Sequence, residues 1–259
     1  MELRNQRVLL TGATGGIGKQ IVLHLLNAGA SVLLQGRNIK KLDALRTQFN
    51  QFNEKVTVVA GDLLKSEDRN AVVIAASEDK VNCLINNAGV NQFSAFESAE
   101  ISNLINTNVT ATMLLTQALL PMLMRNKEKP LIVNIGSTFG AIGFPGYVSY
   151  CASKHAIKGF SEALSREYAD TSLQVIYVSP RATNTEMNTV AADEVNRALC
   201  VKSDSSEWVA SEVIKSIANK VPRSQLGWPE KFHVKLNAIL PSLVDGVIAK
   251  QLPTIKRYI

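Results

Sequence analysis

A tyrosine and a lysine in the middle of the chain have the types and the spacing for proton transfer. Tyr150 and Lys154 lie four positions apart in a segment of helical pattern, so both side chains fall on one helix face, one turn apart. A tyrosine titrates near ~10, and an ammonium at roughly 5 Å favours the phenolate by about 3 kcal/mol at an effective dielectric of about 20. We therefore expect Lys154 to lower the pKa of Tyr150 toward the range that acid–base catalysis needs.

A glycine-rich stretch near the N-terminus has the composition of a phosphate-binding loop. It reads TGATGGIG over residues 11–18, follows a short apolar run and precedes a segment of helical period. Glycine allows a tight turn and a close approach to phosphate, and the free amides at a helix N-terminus attract an anion. Such a turn can be purely structural, but its place between a strand and a helix favours dinucleotide binding. The residues predicted to contact a cofactor here are Gly12, Thr14, Gly16, Ile17 and Gly18.

The elements that must position these residues follow an alternating pattern. Short apolar runs alternate with longer segments of helical period, which predicts a parallel sheet covered by helices on both faces. Strands are predicted at 7–10, 31–35, 57–60, 83–86, 131–135 and 174–179. Helices are predicted at 16–28, 40–52, 66–78, 103–126, 149–168 and 206–219. The predicted class is an α/β fold with a Rossmann-like, doubly wound parallel sheet.

Length and composition favour one globular domain. The 259 residues are 46% hydrophobic and 19% charged and can form one core without a linker. We expect a single domain over 1–259, with a cofactor-binding and catalytic core over about 5–180 and a substrate-loop and C-terminal region over 181–259. The apolar run after the charged N-terminus is too short for a signal peptide or a membrane span, so we expect a cytoplasmic protein.

The charged and metal-binding residue types exclude two other classes of function. The net charge is +6, but the lysines and arginines form no dense cluster, which argues against nucleic-acid binding. The three cysteines have no CxxC spacing, and the three histidines are isolated, so no metal site is predicted. The positive charge would suit a phosphorylated cofactor or an acyl group on an acidic carrier.

The end of the second predicted strand bears on the choice of cofactor. It reads Leu34-Gln35-Gly36-Arg37, where an NAD-binding unit usually has an acidic residue for the adenosine ribose. A carboxylate would repel a 2′-phosphate, whereas Arg37 can bind one through charge-assisted hydrogen bonds. We therefore predict NADP(H). The alternative is that Arg37 is an ordinary solvated loop charge.

Together these motifs resemble those of the short-chain dehydrogenase/reductase family, over roughly residues 5–190. The family has a TGxxxGxG loop, a YxxxK pair and a serine thirteen residues before the tyrosine, and Ser137 reproduces that interval. The resemblance implies that Tyr150 donates a proton to a carbonyl oxygen, that Ser137 orients the carbonyl and that Lys154 also bonds the nicotinamide ribose. Thr138 is the rival hydroxyl to Ser137, although its register differs.

The resemblance extends to further cofactor and catalytic residues. Asn108 matches the family's helix-interrupting asparagine, which holds a water next to the lysine; Asn106 is the rival assignment. The remaining matches are Asp62 and Leu63 near the adenine, and Asn87, Ala88 and Gly89 in the NNAG element. A purely structural role for the NNAG asparagines is at least as well supported by their chemistry, because such side chains hold loops in shape.

The segment after the sixth predicted strand departs from the family pattern. Thr183 and Thr185 keep their expected places as cofactor contacts, but Arg181 stands where the family usually has glycine. A positive φ there would disfavour arginine. Otherwise we expect its side chain to point to solvent or to an anionic substrate.

These observations predict an NADP(H)-dependent oxidoreductase that acts on a carbonyl or alcohol of hydrophobic or acyl type. The alternative is a catalytically weak NADP-binding regulator or scaffold, and Arg181 is the only sequence feature that favours it. By resemblance we expect a homo-oligomer, a dimer or tetramer, formed through the helices at 103–126 and 149–168. An apolar C-terminal run of helical spacing favours core or subunit packing over an active-site cover or a peripheral membrane helix.

Overall fold

The computed structural model of the protein describes residues 3–125 and 129–259, with the backbone alone at position 53. The strands within these ranges are β1 Arg7–Thr11, β2 Ser31–Gly36, β3 Val56–Ala60, β4 Cys83–Asn86, β5 Leu131–Ile135, β6 Gln174–Ser179, β7 Thr183–Asn184, β8 Asp204–Ser205 and β9 Arg223–Gln225. The α-helices are α1 Gly16–Asn27, α2 Ile39–Gln48, α3 Ser66–Glu78, α4 Ile101–Ile105, α5 Ala111–Arg125, α6 Val148–Glu167, α7 Val190–Ala198, α8 Ser206–Ala218, α9 Glu230–Ile239 and α10 Pro241–Ile255.

Seven of the strands form one sheet in the order β3-β2-β1-β4-β5-β6-β9, and every pairing in it is parallel. The chain winds outward from β1 to β3 and then returns to place β4 on the other side of β1. This reversal opens a crevice at the carboxyl ends of β1 and β4, which is where open α/β sheets bind ligands. The predicted doubly wound α/β fold is confirmed.

The strands form because both of their faces are covered by apolar layers. Every residue of β4 and β5 is buried. Successive side chains of β1 point to opposite faces: Leu10 joins a core cluster with residues of α1 and α8, and Leu9 joins a second cluster with residues of α3 and α5. The sheet is therefore a rigid, two-sided scaffold whose strand ends hold the loops of the crevice.

The element boundaries agree with the predicted ones along the first six strands, each of which begins and ends within one residue of its predicted bounds. The predicted helix at 40–52 ends at Gln48 and is followed by a 3₁₀ segment, Asn50–Lys55. The predicted helix at 103–126 is interrupted by a π-helical turn, Asn106–Thr110, between α4 and α5; its last position, 126, lies outside the described residues. The strand β9 was not predicted.

The C-terminal part of the chain forms a helical hairpin above the crevice. α9 and α10 are joined at Leu240 and contact each other. α9 has no buried residue, and α10 buries only Val244 and Ile255. Among the helices described, none combines the length and the apolar character that crossing a bilayer requires.

Candidate active site

A cleft of about 870 Å³ lies over the carboxyl ends of the central strands. It is lined by every residue predicted for the site except Asn108. The residues that line it are Gly12, Thr14, Gly16, Ile17, Gly18, Arg37, Asp62, Leu63, Asn87, Ala88, Gly89, Ser137, Tyr150, Lys154, Thr183 and Thr185. The structure thus brings residues from both halves of the chain to one cavity.

The glycine loop at the start of the cleft is shaped by contacts with the loop after β4. Gly12 has a φ of +63°, and a Cβ there would lie 2.8 Å from the Cα of Ala88. The Asn87 side-chain amide donates to the carbonyls of Thr11 and Gly12, both at 3.1 Å. A Cβ at Gly18 would lie 2.3 Å from the Gly12 carbonyl oxygen. The loop therefore requires glycine at both positions and is held open by Asn87.

The first turn of α1 offers backbone amides to the cleft. Its N-cap is Gly15, and no side chain of the described residues caps this helix end. Unpaired amides at a helix N-terminus, together with the helix dipole, favour a phosphate group. The glycine loop and α1 therefore have the chemistry of a pyrophosphate site.

Two cations stand at the far end of the cleft. Arg37, the residue after β2, is exposed and lines the cavity, and so does Lys41 in the first turn of α2. Asn38 caps α2 by accepting the Lys41 amide at 3.1 Å, which places Lys41 beside the end of β2. Lys41 was not predicted; its position three residues after an Asn N-cap was the signal that could have identified it.

Polar side chains next to these cations shape the neighbouring wall. Gln35 is buried, and its side-chain amide donates to the Gly61 carbonyl at 2.8 Å, which ties β2 to the loop after β3. The Asp62 carboxylate accepts the Leu64 amide at 3.1 Å. Leu63 adds a buried apolar side chain to the same wall. A flat aromatic base would find both hydrogen-bonding groups and apolar surface here.

Tyr150 and Lys154, the pair predicted to transfer a proton, lie in the first two turns of α6, at the other end of the cleft. The Lys154 Nζ donates to the Ile135 carbonyl at 3.2 Å and lies 5.7 Å from the centroid of the Tyr150 ring. Lys154 is 8% exposed. Phe139 meets the Tyr150 ring edge-on at 6.3 Å between centroids, and Tyr147 lies 6.1 Å away. The phenol is thus held in an apolar, aromatic surround with one cation near it.

Burial has the opposite effect on Tyr150 from the one predicted. Desolvation raises the pKa of its phenol well above the usual value, and interaction with the Ser137 hydroxyl opposes this rise only in part. Burial also lowers the pKa of Lys154 to about 8. The predicted net lowering by Lys154 was wrong for the protein without ligands, because removal of the phenol from water outweighs the hydrogen bond with Ser137 that favours its charged form.

Ser137 and its rival hydroxyl occupy different surroundings. Ser137 follows β5, and its Oγ accepts the Phe139 amide at 3.2 Å. The Thr138 Oγ1 instead donates to the Pro180 carbonyl at 3.3 Å and accepts from the Gln225 side chain at 2.8 Å. Thr138 therefore joins β5 to β6 and β9, and Ser137 is the hydroxyl that interacts with Tyr150.

Asn108 lies behind the cleft wall, in the π-helical turn. Its side chain accepts the Val90 amide at 2.8 Å and donates to the Val90 carbonyl at 2.9 Å and to the Ser153 Oγ at 3.0 Å. Asn106, in contrast, is exposed, and its side chain accepts a hydrogen bond from the Thr110 hydroxyl of the same turn at 3.4 Å. Asn108 thus joins the loop after β4 to α6, next to Lys154, and Asn106 does not.

The segment after β6 closes the cleft from above. A Cβ at Gly16 would lie 3.1 Å from the Cγ2 of Thr185, so this segment reaches the glycine loop. The Thr183 hydroxyl donates to the Arg181 carbonyl at 2.9 Å. Arg181 is not among the described residues with positive φ. The prediction that its side chain points to solvent or to an anionic substrate was wrong, because the guanidinium forms ion pairs with Asp204 and Glu230.

The remaining side of the cleft, above Tyr150, is apolar. We call the cleft-lining apolar side chains of the helical hairpin the apolar wall. It consists of Phe232, Leu236, Leu243, Val244, Val247 and Ile248. Phe232, Leu243 and Val247 are each more than half exposed, which is unusual for three large apolar side chains that share one cavity. The wall can therefore receive an apolar ligand group.

Comparisons with known proteins agree with this geometry. The sequence model described as short chain dehydrogenase matches residues 6–196. Dehydrogenase/reductase SDR family member 7B from Rattus norvegicus is 32% identical over 257 residues, which cover 93% of this chain and 76% of that protein. A 3-oxoacyl-(acyl-carrier-protein) reductase from Rickettsia bellii is 29% identical over 233 residues, which cover 89% and 87% of the two chains.

Solved structures share the fold at lower sequence identity. A short-chain dehydrogenase from Burkholderia cenocepacia in complex with NADP has a TM-score of 0.81 and 23% identity, covering 96% of this chain and 99% of its own. One from Burkholderia phymatum in complex with NAD has a TM-score of 0.84 and 21% identity, covering 94% and 96%. Both nicotinamide cofactors thus occur among proteins of this fold.

Proposed function

The chain belongs to the short-chain dehydrogenase family, and we propose that it is an NADP(H)-dependent oxidoreductase that transfers a hydride between the nicotinamide and a carbonyl or alcohol of hydrophobic or acyl type. The observation that carries the proposal is the arrangement of Ser137, Tyr150 and Lys154 at one end of a cleft whose other end has an uncapped helix N-terminus and two cations. No step of this reaction needs a metal, and no group of metal-binding side chains occurs among the described residues.

The residues present fit a nicotinamide dinucleotide. Gly12 and Gly18 let the glycine loop pack closely against Ala88 and against itself, where a Cβ would clash, and the amides of the first turn of α1 suit a pyrophosphate. At the ribose of the adenosine, Arg37 and Lys41 supply two positive charges, and the end of β2 has no carboxylate that would repel a 2′-phosphate. These groups support NADP(H) over NAD(H).

The chain's own residues would do the following in the reduction. A nicotinamide held in the cleft would supply the hydride for the carbonyl carbon. Tyr150 donates its phenolic proton to the carbonyl oxygen, and Ser137 donates a hydrogen bond to the same oxygen, so that an alcohol forms. Lys154 places a cation within reach of the phenolate that remains and favours its charged form. Asn108 keeps Lys154 and the loop after β4 in register.

The apolar wall supports a substrate with an extended apolar part. A carbonyl that reaches Tyr150 would place its attached chain against Leu236, Leu243 and Val247. The relative from Rickettsia bellii is named for a 3-oxoacyl substrate, which is of the same chemical type. We propose a hydrophobic ketone or aldehyde, or an acyl thioester ketone, as the substrate class.

The setting proposed for this activity is a cytoplasmic homo-oligomer. Met113 of α5 is an exposed apolar side chain in the segment 103–126, one of the two expected to form the subunit contact. The regulator or scaffold alternative loses its one supporting feature, since Arg181 is accommodated by ion pairs rather than disrupting the cleft. A peripheral membrane contact by the helical hairpin is less favoured than its role in the cleft.

Turnover of NADPH with a panel of carbonyl compounds tests the proposal. The wild type should consume NADPH with at least one hydrophobic ketone or aldehyde. Tyr150→Phe should lower kcat by at least about 100-fold, because general acid catalysis contributes about that much, while NADPH binding persists. Tyr147→Phe, which removes a neighbouring phenol from the same aromatic cluster, is the matched control. Equal rates in wild type and Tyr150→Phe would contradict the assignment.

A further inference from the structure

Arg181 is bound at four points in the wall of the cleft. Its Nε and Nη2 donate to the two carboxylate oxygens of Asp204 at 2.8 and 2.6 Å. Its Nη1 donates to the Glu230 Oε2 at 3.0 Å and to the Trp228 carbonyl at 2.8 Å. The side chain is only 8% exposed. A bidentate pair combined with a second carboxylate fixes both the position and the direction of the planar guanidinium.

The partners of Arg181 belong to two sides of the cleft. Asp204 lies in β8 and pairs with Thr183 of β7, in the segment that covers the cofactor side. Glu230 is the first residue of α9, which carries the apolar wall on the substrate side. One side chain therefore joins the cofactor-covering segment to the helix that lines the substrate chamber.

The turn before α9 is shaped around the arginine. Gly227 has a φ of +82°, and a Cβ there would lie 2.7 Å from the Cδ of Arg181. Any side chain at this position would therefore displace the guanidinium from its partners. The turn and the arginine are thus parts of one packed unit.

The position of α9 depends on few other contacts. The helix has no buried residue, so apolar packing does little to fix it. Its second polar attachment is near its end, where the Asn237 side-chain amide donates to the Ala141 carbonyl at 2.9 Å. The Arg181–Glu230 pair at the start of α9 is consequently one of two polar side-chain attachments of this helix among the described residues, whereas α10 is held by the buried Val244 and Ile255.

We propose that Arg181 is a positioning residue for substrate selectivity: by holding the first turn of α9 to the segment after β6, it sets the distance between the apolar wall and Tyr150. The inference rests on the proposed function, since it assigns the length of the apolar chain as the property selected. The carboxylates of Asp204 and Glu230 have different roles in this positioning. Asp204 fixes the guanidinium relative to the cofactor side, and Glu230 transmits that position to α9. With both carboxylates bound, the guanidinium does not serve as a receptor for an anionic substrate.

Kinetics with straight-chain 2-alkanones of increasing length and NADPH measure this selectivity. Glu230→Ala should raise KM several-fold for the long ketones, leave KM for the shortest one unchanged and leave the Kd of NADPH unchanged. Asp204→Asn should weaken NADPH binding as well. Arg181→Lys keeps the charge but cannot form the bidentate pair, so it should show the same dependence on chain length as Glu230→Ala. Glu212→Ala, which breaks the exposed pair with Lys215 on α8, is the control and should behave as wild type.

Hydrogen exchange supplies a second readout that does not depend on turnover. The amides of residues 230–239 should exchange faster in Glu230→Ala and Arg181→Lys than in wild type, with no change in Glu212→Ala. Arg181→Lys is needed here because Glu230 also lies at the N-terminus of its helix, where its removal alone weakens the first turn.

The outcomes separate this inference from the proposed function. Unchanged exchange of α9 in Arg181→Lys, or a rise in KM that is equal for short and long ketones, would overturn the positioning role. Lack of turnover by the wild type with every carbonyl compound would instead contradict the proposed function, and the exchange result would still decide whether Arg181 holds α9.

Discussion

Arg37 is the residue on which we propose that the cofactor choice depends. In Arg37→Asp, a carboxylate replaces the cation beside the proposed 2′-phosphate position, so attraction becomes repulsion. We expect the Kd of NADPH to rise by at least about tenfold, the effect of roughly 1.4 kcal/mol, while the Kd of NADH changes little. Fluorescence titration with each cofactor measures both values.

The control for this change is Arg46→Asp, the same substitution on the exposed side of α2, where Arg46 pairs with Asp43. It should leave both dissociation constants as they are. A preference for NADPH that survives Arg37→Asp would remove Arg37 from the site and leave Lys41 as the cation to test.

Lys154 should make the stability of the ligand-free protein depend on pH. Its folded pKa is about 8, below the ordinary value of 10.5, so between these values the unfolded chain binds more protons than the folded one. Stability conferred by this group therefore rises with pH through this window and is lowest below about pH 8. From about pH 7.5 to about pH 9.5, the free energy of unfolding of wild type relative to Lys154→Met should rise by about 2 kcal/mol.

Denaturant unfolding of both proteins across this range provides the measurement, and the difference between them cancels the titration of tyrosines and cysteines that they share. Lys158→Met removes a lysine one helical turn further along α6, outside the cleft, and serves as control. A difference that is flat with pH would show that the Lys154 amine is not desolvated.

Residue spacing predicted which side chains meet but not what surrounds them. The interval from Ser137 to Tyr150 and the four-residue step to Lys154 place these groups correctly in one cleft. The direction of the Tyr150 pKa was wrong because a pairwise charge argument contains no desolvation. The partners of Arg181 could not be read from local sequence, since Asp204 and Glu230 are 23 and 49 positions away.

At the scale of the elements, a buried chain of hydrogen bonds holds α6, the helix of Tyr150 and Lys154, to the sheet. The Asn86 side-chain amide of β4 donates to the Asn134 Oδ1 of β5 at 2.8 Å, and to the Thr116 Oγ1 of α5 at 3.1 Å. The Asn134 amide then donates to the Ser161 Oγ of α6 at 2.8 Å. Both asparagines are buried, so each polar group must find its partner within the protein. This chain of hydrogen bonds fixes the position of α6, and therefore of Tyr150, relative to β5.

Asn134→Ala should weaken this attachment. It removes two hydrogen bonds at a fully buried position, so we expect a loss of about 2–3 kcal/mol in the free energy of unfolding. A smaller fall in kcat should accompany it, because α6 loses its register. Asn219→Ala, the same change at the exposed end of α8, should alter stability by less than about 0.5 kcal/mol. Similar losses of unfolding free energy in the two variants would show that the hydrogen bonds of Asn134 contribute little to stability.

Elements with a clear apolar pattern were predicted well, and those without one were not. The strands β1 to β6 are apolar runs bounded by turn residues. β9 reads Arg223-Ser224-Gln225 and is a short edge strand that pairs with β6 alone, so it has no apolar signature. The π-helical turn at Asn106–Thr110 keeps the helical pattern of its sequence, so periodicity does not predict it, and the match of Asn108 to the family's helix-interrupting asparagine was its signal.

At the scale of the whole molecule, the order of strands follows from the predicted alternation because right-handed crossovers leave few other arrangements. The arrangement of the segments that cover the cleft does not follow from this alternation of strands and helices. The polar stretch after Pro180 contains β7, α7 and β8, and the hairpin of α9 and α10 breaks at Leu240–Pro241 within one apolar run. α7 and α10 bury Ala192, Val195 and Ile255 in a small apolar cluster with residues of α6 and the loop after β4, whereas α9 buries no residue. Periodicity alone therefore does not predict how these parts are arranged over the cleft.

The ion pairs of Arg181 with Asp204 and Glu230 bear on the order in which the parts of the cleft form during synthesis of the protein. β1, β4, β5 and β6 lie between residues 7 and 179, so the sheet around the cofactor loop can assemble once that part of the chain has left the ribosome. Asp204 and Glu230 emerge later, so the covering segment after β6 lacks the ion pairs of Arg181 until they do. A nascent chain ending shortly after β6 would have its phosphate loop in place but its substrate chamber unbuilt. Cofactor capture could therefore precede completion of the substrate pocket.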